Sequence, residues 1–339
     1  MRVAMYYNNK DVRLEEVEKP KVGPDEVLIK IIASGICGSD IMEWYRIKKA
    51  PLVLGHEISG EIAEVGENVT QYKPGQRVSA THHVSCDECS YCLDGNETDC
   101  DMIRNTKFYP GGFAEYVRIP KINVEKGFFV LPDNVSYDEG TFIEPLGCVI
   151  RGQKKANVKG NHTVLVLGSG LSGLLHIQLA KSKGAKVIAT DVDRFKLDMA
   201  KKLGADYVFD AREDIPEKVK EVNGKLADRV IVCASAPPAV KQAMESVDRG
   251  GTILVFALFE PGTDLNLPLP HLMSRGVTIT TSYAAVKRDL QEATELLKNK
   301  KINVTDMITH RVSLGETVKG FEMMTNPQNS IKIIVEPHK

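Results

Sequence analysis

The chain has 339 residues, with 44 Lys plus Arg against 45 Asp plus Glu and a formal net charge of −1. That balance argues against nucleic acid or another polyanion as the main partner. No apolar run reaches the roughly 18 residues that suggest a membrane span. The opening stretch from Met1 to Arg13 lacks the apolar core of a signal peptide, so a cytoplasmic protein is expected. The length suggests two domains.

In chain order, the first part reads as short strands. Val27-Leu28-Ile29-Lys30-Ile31-Ile32 is apolar and β-branched and follows the turn signal Val22-Gly23-Pro24-Asp25. Further strands are predicted over 58–65, 77–80, 113–119 and 127–131, punctuated by glycines and prolines. Many short strands imply a β-rich, partly barrel-like domain. Near residue 150 the texture changes. Thr163-Val164-Leu165-Val166-Leu167 runs into glycines, and helical periodicity follows over 171–183. Strands at 187–190, 207–209, 230–233, 252–256 and 277–280 are then interleaved with helices at 194–203, 215–222 and 239–247. That alternation predicts a parallel sheet covered by helices on both faces. A helix over 287–298 and short β-like pieces ending at 331–335 form a tail too short for its own core. It is expected to pack back on the first domain.

Gly168-Ser169-Gly170-Leu171-Ser172-Gly173 fits the dinucleotide fingerprint, in the strand-to-helix context that the fingerprint needs. The first glycine permits the tight turn, the second lets backbone approach a pyrophosphate, and the third lets strand and helix pack closely. The helix N-terminus offers free N–H groups to the phosphates. Asp191 ends the second strand about twenty residues on, where a carboxylate accepts from both ribose hydroxyls and repels a 2′-phosphate. NAD is thus favoured over NADP. Arg194 weakens that preference, and Lys196 is either a ribose contact or a solvated lysine.

Seven cysteines remain to be explained. Cys86, Cys89, Cys92 and Cys100 lie within fifteen positions, and four soft ligands at such spacing make a closed, structural zinc site. Cys37, His56 and Glu144 are a thiolate, an imidazole and a carboxylate, a donor set that suits a catalytic zinc with an exchangeable position. Taken singly, each also reads as an ordinary residue: a core histidine, a small buried thiol, a surface carboxylate. Ser39 follows Cys37 by two positions and fits either a proton acceptor or a helix N-cap. Trp44 and Tyr45 either line a pocket or only pack their loop.

Taken together, these residues resemble the zinc-containing medium-chain alcohol dehydrogenases over essentially the whole chain. Gly55-His56-Glu57-x-x-Gly60-x₅-Gly66-x-x-Val69 fits the zinc signature of that family, and Val65-Gly66 … Gly75-Gln76-Arg77-Val78 fits a further pattern. The resemblance implies an α/β protein: a GroES-like β-barrel catalytic domain from 1–148 and 285–339, and a Rossmann domain, doubly wound around a parallel sheet, at 149–284. It implies that Cys37, His56 and Glu144 hold the catalytic zinc, with Glu57 as a fourth or alternating ligand. Two zinc ions per chain are therefore expected. Glu144-Pro145-Leu146 looks like the sorbitol and threonine dehydrogenase branch. Two departures stand out. Met42 occupies a position where that branch carries a histidine, and Ser282-Tyr283 stands where it carries an Arg-Tyr pair. The expected function is reversible hydride transfer between a secondary alcohol or polyol and NAD, in a homo-dimer or tetramer. The alternatives are an L-threonine 3-dehydrogenase and a non-catalytic NAD-binding protein on the same scaffold.

Overall fold

The computed structural model describes residues 1–326 and 329–339, which form two compact units. The first contains Met1–Gly147, Ala284–Lys300 and Val304–Lys339. The second contains Cys148–Tyr283 and Lys301–Asn303. The boundary falls inside helix Ile143–Lys155, which the sequence reading did not anticipate. Lys301–Asn303 belongs to the second unit because the Gln178 side chain pairs both backbone groups of Asn303, at 2.7 and 3.0 Å.

The first unit is built on strand Val27–Gly35, whose burial at every position but Lys30 and Ile32 marks it as central. It pairs antiparallel along Glu57–Val65 on one side. On its other side it pairs with Tyr116–Ile119 near its start and with Lys332–Glu336 near its end. Arg77–Ala80, Phe128–Val130 and Ile308–Ser313 complete a seven-stranded sheet. Arg2–Asn8, Asp11–Glu16 and Leu52–Val53 form a smaller one. The sheet encloses Ile29, Ile31, Ile58, Ile62, Val78 and Ile119, all almost fully buried. Each such aliphatic side chain stabilises the fold by about 1.5–3 kcal/mol relative to exposure. The tail does return to this unit, but it is not only β-like. Thr317–Thr325 is a helix, anchored by buried Phe321 and preceded by the Ser313–Glu316 capping box.

In the second unit, six parallel strands run in the order 3-2-1-4-5-6, counted from Thr163–Leu167. Thr163–Leu167 is buried at every position, as a strand covered on both faces must be. The fourth strand is Ala227–Val232, so Cys233 lies just past its end rather than within it. The expected strand at 113–119 is also shorter, at Tyr116–Ile119. No helix among the described residues is long and apolar enough to cross a membrane.

Candidate metal centres and dinucleotide site

The thiolate loop is compact. Sγ of Cys89 lies 3.5 Å from Cys92, Cys100 lies 3.5 Å from Cys86, and Cys86 lies 3.9 Å from Cys92. A tetrahedral zinc with Zn–S near 2.3 Å sets its sulfurs roughly 3.8 Å apart, so these residues fit the ion. N–H groups of Glu88 and Cys89 point at the Cys86 sulfur, at 3.4 and 3.3 Å, and pull its pKa down to about 6. Lys126 closes the loop, donating to the Cys86 carbonyl and to Asp87 Oδ2 at 2.8 Å.

The second cluster is assembled by strand register. Glu57 pairs with Gly35, and the Ile36 N–H donates to Ile333 O at 3.0 Å. The end of one strand thereby delivers Cys37 beside His56, Glu57 and Lys332. Ligand atoms of Cys37, His56 and Glu57 all lie within 4.8 Å of one another. Glu144, buried in the first turn of its helix, does not join them at that distance. Glu57 Oε2 pairs with the fully buried Lys332 Nζ, while Oε1 is buried with no hydrogen-bond partner. A β-carbon on Gly35 would collide with both members of that pair and would have to displace them. An orphaned carboxylate oxygen beside a thiol and an imidazole is a donor set that suits zinc.

Asp40, which the sequence reading left without a role, orients this cluster. It is fully buried, accepts from the Cys37 N–H at 3.0 Å and lies 3.4 Å from His56 Nδ1. Burial alone would raise its pKa, but His56 and Arg46 outweigh it and hold the carboxyl below its usual range. Burial likewise pushes the His56 imidazole down, and Asp40 and Cys37 more than reverse this. A carboxylate behind a histidine ligand fixes its tautomer and strengthens it as a donor. Ser39 donates to Cys37 Sγ at 3.4 Å. It does not cap helix Glu43–Arg46, whose N-cap is Met42. His82 and His83 were also missed. The His82 ring lies 4.8 Å from His56 and 3.7 Å from His83, and burial lowers both pKa values, that of His83 to about 3. They therefore present neutral imidazoles beside His56. Their signal was a pair of adjacent histidines three residues before Cys86.

In the second unit, Gly168 takes φ of +96°, which only glycine adopts freely. A β-carbon on Gly173 would strike the Gly168 carbonyl. By contrast, nothing lies within 4 Å of where a β-carbon on Gly170 would sit, which leaves room for a phosphate. Leu171 opens helix Leu171–Ser182 with no side chain capping its free N–H groups. Asp191 accepts from Ser169 N at 2.7 Å and from Asp193 N at 3.0 Å, which fixes its carboxylate at the strand end. Arg194 is exposed and pairs with Asp198 at 2.9 Å. Lys196 is half-buried. Burial pushes the Cys233 thiol up to about 12, with Ser172 at its side.

An alcohol gives up hydride readily once its hydroxyl is deprotonated, which a Lewis acid makes possible near neutral pH, and once a dinucleotide stands ready to accept. A chain that builds a place for each falls in the class of zinc-dependent dehydrogenases. Residues 23–132 match the family model of the alcohol dehydrogenase GroES-like domain, and residues 173–299 match that of zinc-binding dehydrogenases. The chain belongs to the zinc-containing alcohol dehydrogenase family. It is 30% identical to sorbitol dehydrogenase of Bacillus subtilis, over 100% of this chain and 98% of that one. It is 34% identical to L-threonine 3-dehydrogenase of Pyrococcus furiosus, over 92% and 91% respectively. Among solved structures, a zinc-binding dehydrogenase of Sinorhizobium meliloti bound to NADP superposes with a TM-score of 0.88, at 29% identity and 99% coverage of both chains.

Proposed function

We propose that this chain transfers a hydride reversibly between a secondary alcohol or polyol and NAD, using two zinc ions per chain. The observation that carries this reading is the Cys37–His56–Glu57 cluster, with its unpartnered Glu57 oxygen. When bound, zinc supplies the Lewis acidity that acidifies an alcohol hydroxyl, and the dinucleotide supplies the hydride acceptor. Cys37, His56 and Glu57 hold the catalytic ion in this arrangement, and Glu144, the ligand that the resemblance implies, lies outside that cluster. Cys86, Cys89, Cys92 and Cys100 hold the structural ion. Ser39 accepts the hydrogen bond of the alcohol hydroxyl and passes the proton on. Asp40 and Lys332 keep His56 and Glu57 in place. Gly168, Gly170, Leu171 and Gly173 cradle the pyrophosphate, and Asp191 binds the ribose. The Asp191 carboxylate disfavours a 2′-phosphate, and Arg194, paired with Asp198, offers little to attract one. NAD is therefore the preferred cofactor.

The test is NADH absorbance with secondary alcohols, sorbitol and other polyols, and threonine, with metal analysis on the same sample. Turnover of threonine alone would move the assignment to the L-threonine 3-dehydrogenase reading, which the Pyrococcus relative supports. A higher kcat/KM with NADP than with NAD would overturn the Asp191 reading. We also propose a homodimer through the second unit. Strand Thr278–Thr281 is an edge strand with exposed Ile279, and Leu269 and Met273 are exposed nearby in sequence. An unpaired apolar edge invites pairing with a second copy. Light scattering is expected to give about twice the 37.4 kDa chain mass, and Ile279→Lys to return it to one.

A further inference from the structure

The proton route proposed above begins at Ser39, and the position that carries histidine in the polyol branch here holds Met42. The side chain set against Ser39 is instead Arg46. Its Nε donates to the Ser39 carbonyl at 2.9 Å, and its Nη2 donates to Ser39 Oγ at 2.9 Å. The same Nη2 lies 3.5 Å from Oδ1 of the buried Asp40. Arg46 itself is only 15% exposed. This is a two-pronged grip on one residue, of the kind a planar guanidinium makes and an ammonium does not.

The grip has a consequence for the hydroxyl. An oxygen that accepts from a guanidinium must direct its own hydrogen elsewhere, and Ser39 Oγ directs it to Cys37 Sγ at 3.4 Å. A guanidinium donates through its N–H groups and offers no acceptor, so Arg46 is not a base.

We infer that Arg46 is a positioning residue. It locks the Ser39 hydroxyl as an acceptor from the guanidinium and a donor to the Cys37 sulfur. One lone pair of Ser39 Oγ is thereby left in a defined direction to accept a hydrogen bond from the alcohol hydroxyl. The inference rests on the proposed roles of Cys37 as a metal ligand and Ser39 as proton acceptor. The competing explanation is that Arg46 only neutralises Asp40.

A double-mutant cycle between Ser39 and Arg46 separates the two. It is read on protein whose catalytic site is loaded with Co²⁺, through the near-ultraviolet thiolate-to-cobalt charge-transfer band, a measurement that needs no substrate. Ser39→Ala removes the donor to the Cys37 sulfur and is expected to shift the band to longer wavelength. Arg46→Met is expected to shift it the same way by freeing the hydroxyl. The double variant is expected to show no more shift than Ser39→Ala alone. The inference is overturned if Arg46→Met leaves the band in place, or shifts it equally in the Ser39→Ala background. Arg46→Lys guards against a folding defect, because it keeps the charge beside Asp40 and gives up the fork. It is expected to show part of the shift, and a band identical to wild type would overturn the inference. With whichever alcohol is turned over, Arg46→Met is expected to lower kcat about 10–100-fold with little change in KM. That loss should vanish in the Ser39→Ala background, and its persistence there counts against the inference. If no alcohol is turned over, the proposed activity fails while the cobalt cycle still decides the role of Arg46.

Discussion

The two metal clusters of the first unit are built in opposite ways. Cys86, Cys89, Cys92 and Cys100 fall within fifteen consecutive residues, and backbone N–H groups of that same stretch point at the sulfurs. Cys37, His56, Glu57 and Lys332 lie in or just beyond the ends of three strands, with Glu57 and Lys332 separated by 275 positions. The first cluster needs only its own loop, and its thiolates Cys86 and Cys89 stay partly exposed. The second exists only once the sheet has registered, and it buries a carboxylate, an ammonium and Asp40 almost completely. A local cluster can stabilise a loop, whereas a long-range one is poised by charges that the fold must balance.

The largest effects test that division directly. Cys37→Ser is expected to reduce turnover to background and to remove about one zinc per chain while the fold persists. Cys92→Ser is expected to remove the other zinc and to lower Tm by many degrees, because metal binding of this type is folding free energy. Metal analysis and calorimetry on both variants check this. A Cys37→Ser protein that keeps two zinc ions and full activity has the catalytic site elsewhere.

The same contrast explains what could be read before the structure was known. The tetrathiolate spacing and the Gly168–Gly173 turn are local patterns, so residue order alone exposes them. Asp40 stands three residues after Cys37, yet its grip on His56 depends on a strand that begins seventeen residues later. Lys332 left one trace, a lone lysine within Ile331-Lys332-Ile333-Ile334-Val335, but nothing local says that it reaches Glu57. Helix Thr317–Thr325 escaped because Thr317, Val318, Phe321 and Thr325 suggest β-structure by propensity. Tertiary packing of Phe321 and the Ser313–Glu316 capping box decided otherwise.

Lys332→Met comes next in size. It strands the Glu57 carboxylate in the interior, and breaking a buried pair on one side costs about 3–5 kcal/mol. Chemical denaturation should register that loss. Glu57→Gln combined with Lys332→Met should recover much of it, since no buried charge is then left alone. A double variant as unstable as Lys332→Met alone would contradict a charge-balance origin.

The second unit supplies a buried polar group that is held neutral, in contrast to both clusters. His176 is fully buried against Phe256, with ring centroids 4.6 Å apart, and burial first and Lys183 second lower its pKa to about 3. The unfolded chain takes up a proton there below about pH 6.5, and the native protein does not. Stability is therefore fully present above pH 6.5 and declines as pH falls toward 3, by about 1.4 kcal/mol per pH unit. His82 and His83 act in the same direction, so the useful quantity is the difference between wild type and His176→Gln. Denaturation from pH 7 to 5 should show a shallower decline in the variant. Equal slopes would mean that His176 is solvated in the native state.

The smallest expected effect closes the comparison at the thiolate loop. Lys126 and Asp87 also form an ion pair, at 2.8 Å, but their side chains are 22% and 57% exposed. An exposed pair gains little from Coulomb attraction in water and loses side-chain freedom, so Lys126→Met should cost about 0.2–1 kcal/mol. The hydrogen bond from Lys126 to the Cys86 carbonyl puts the cost toward the upper end of that range. Near 1 M salt the charge contribution should fade, because screening acts over about 3 Å there. The Lys332–Glu57 pair, shielded from solvent, should keep its effect in the same buffer. Denaturation of Lys126→Met and Lys332→Met at low and high salt therefore separates the two clusters by sensitivity as well as by size. If Lys126→Met proves as costly and as salt-insensitive as Lys332→Met, the loop is not locally self-sufficient, and its stability too depends on long-range charge balance.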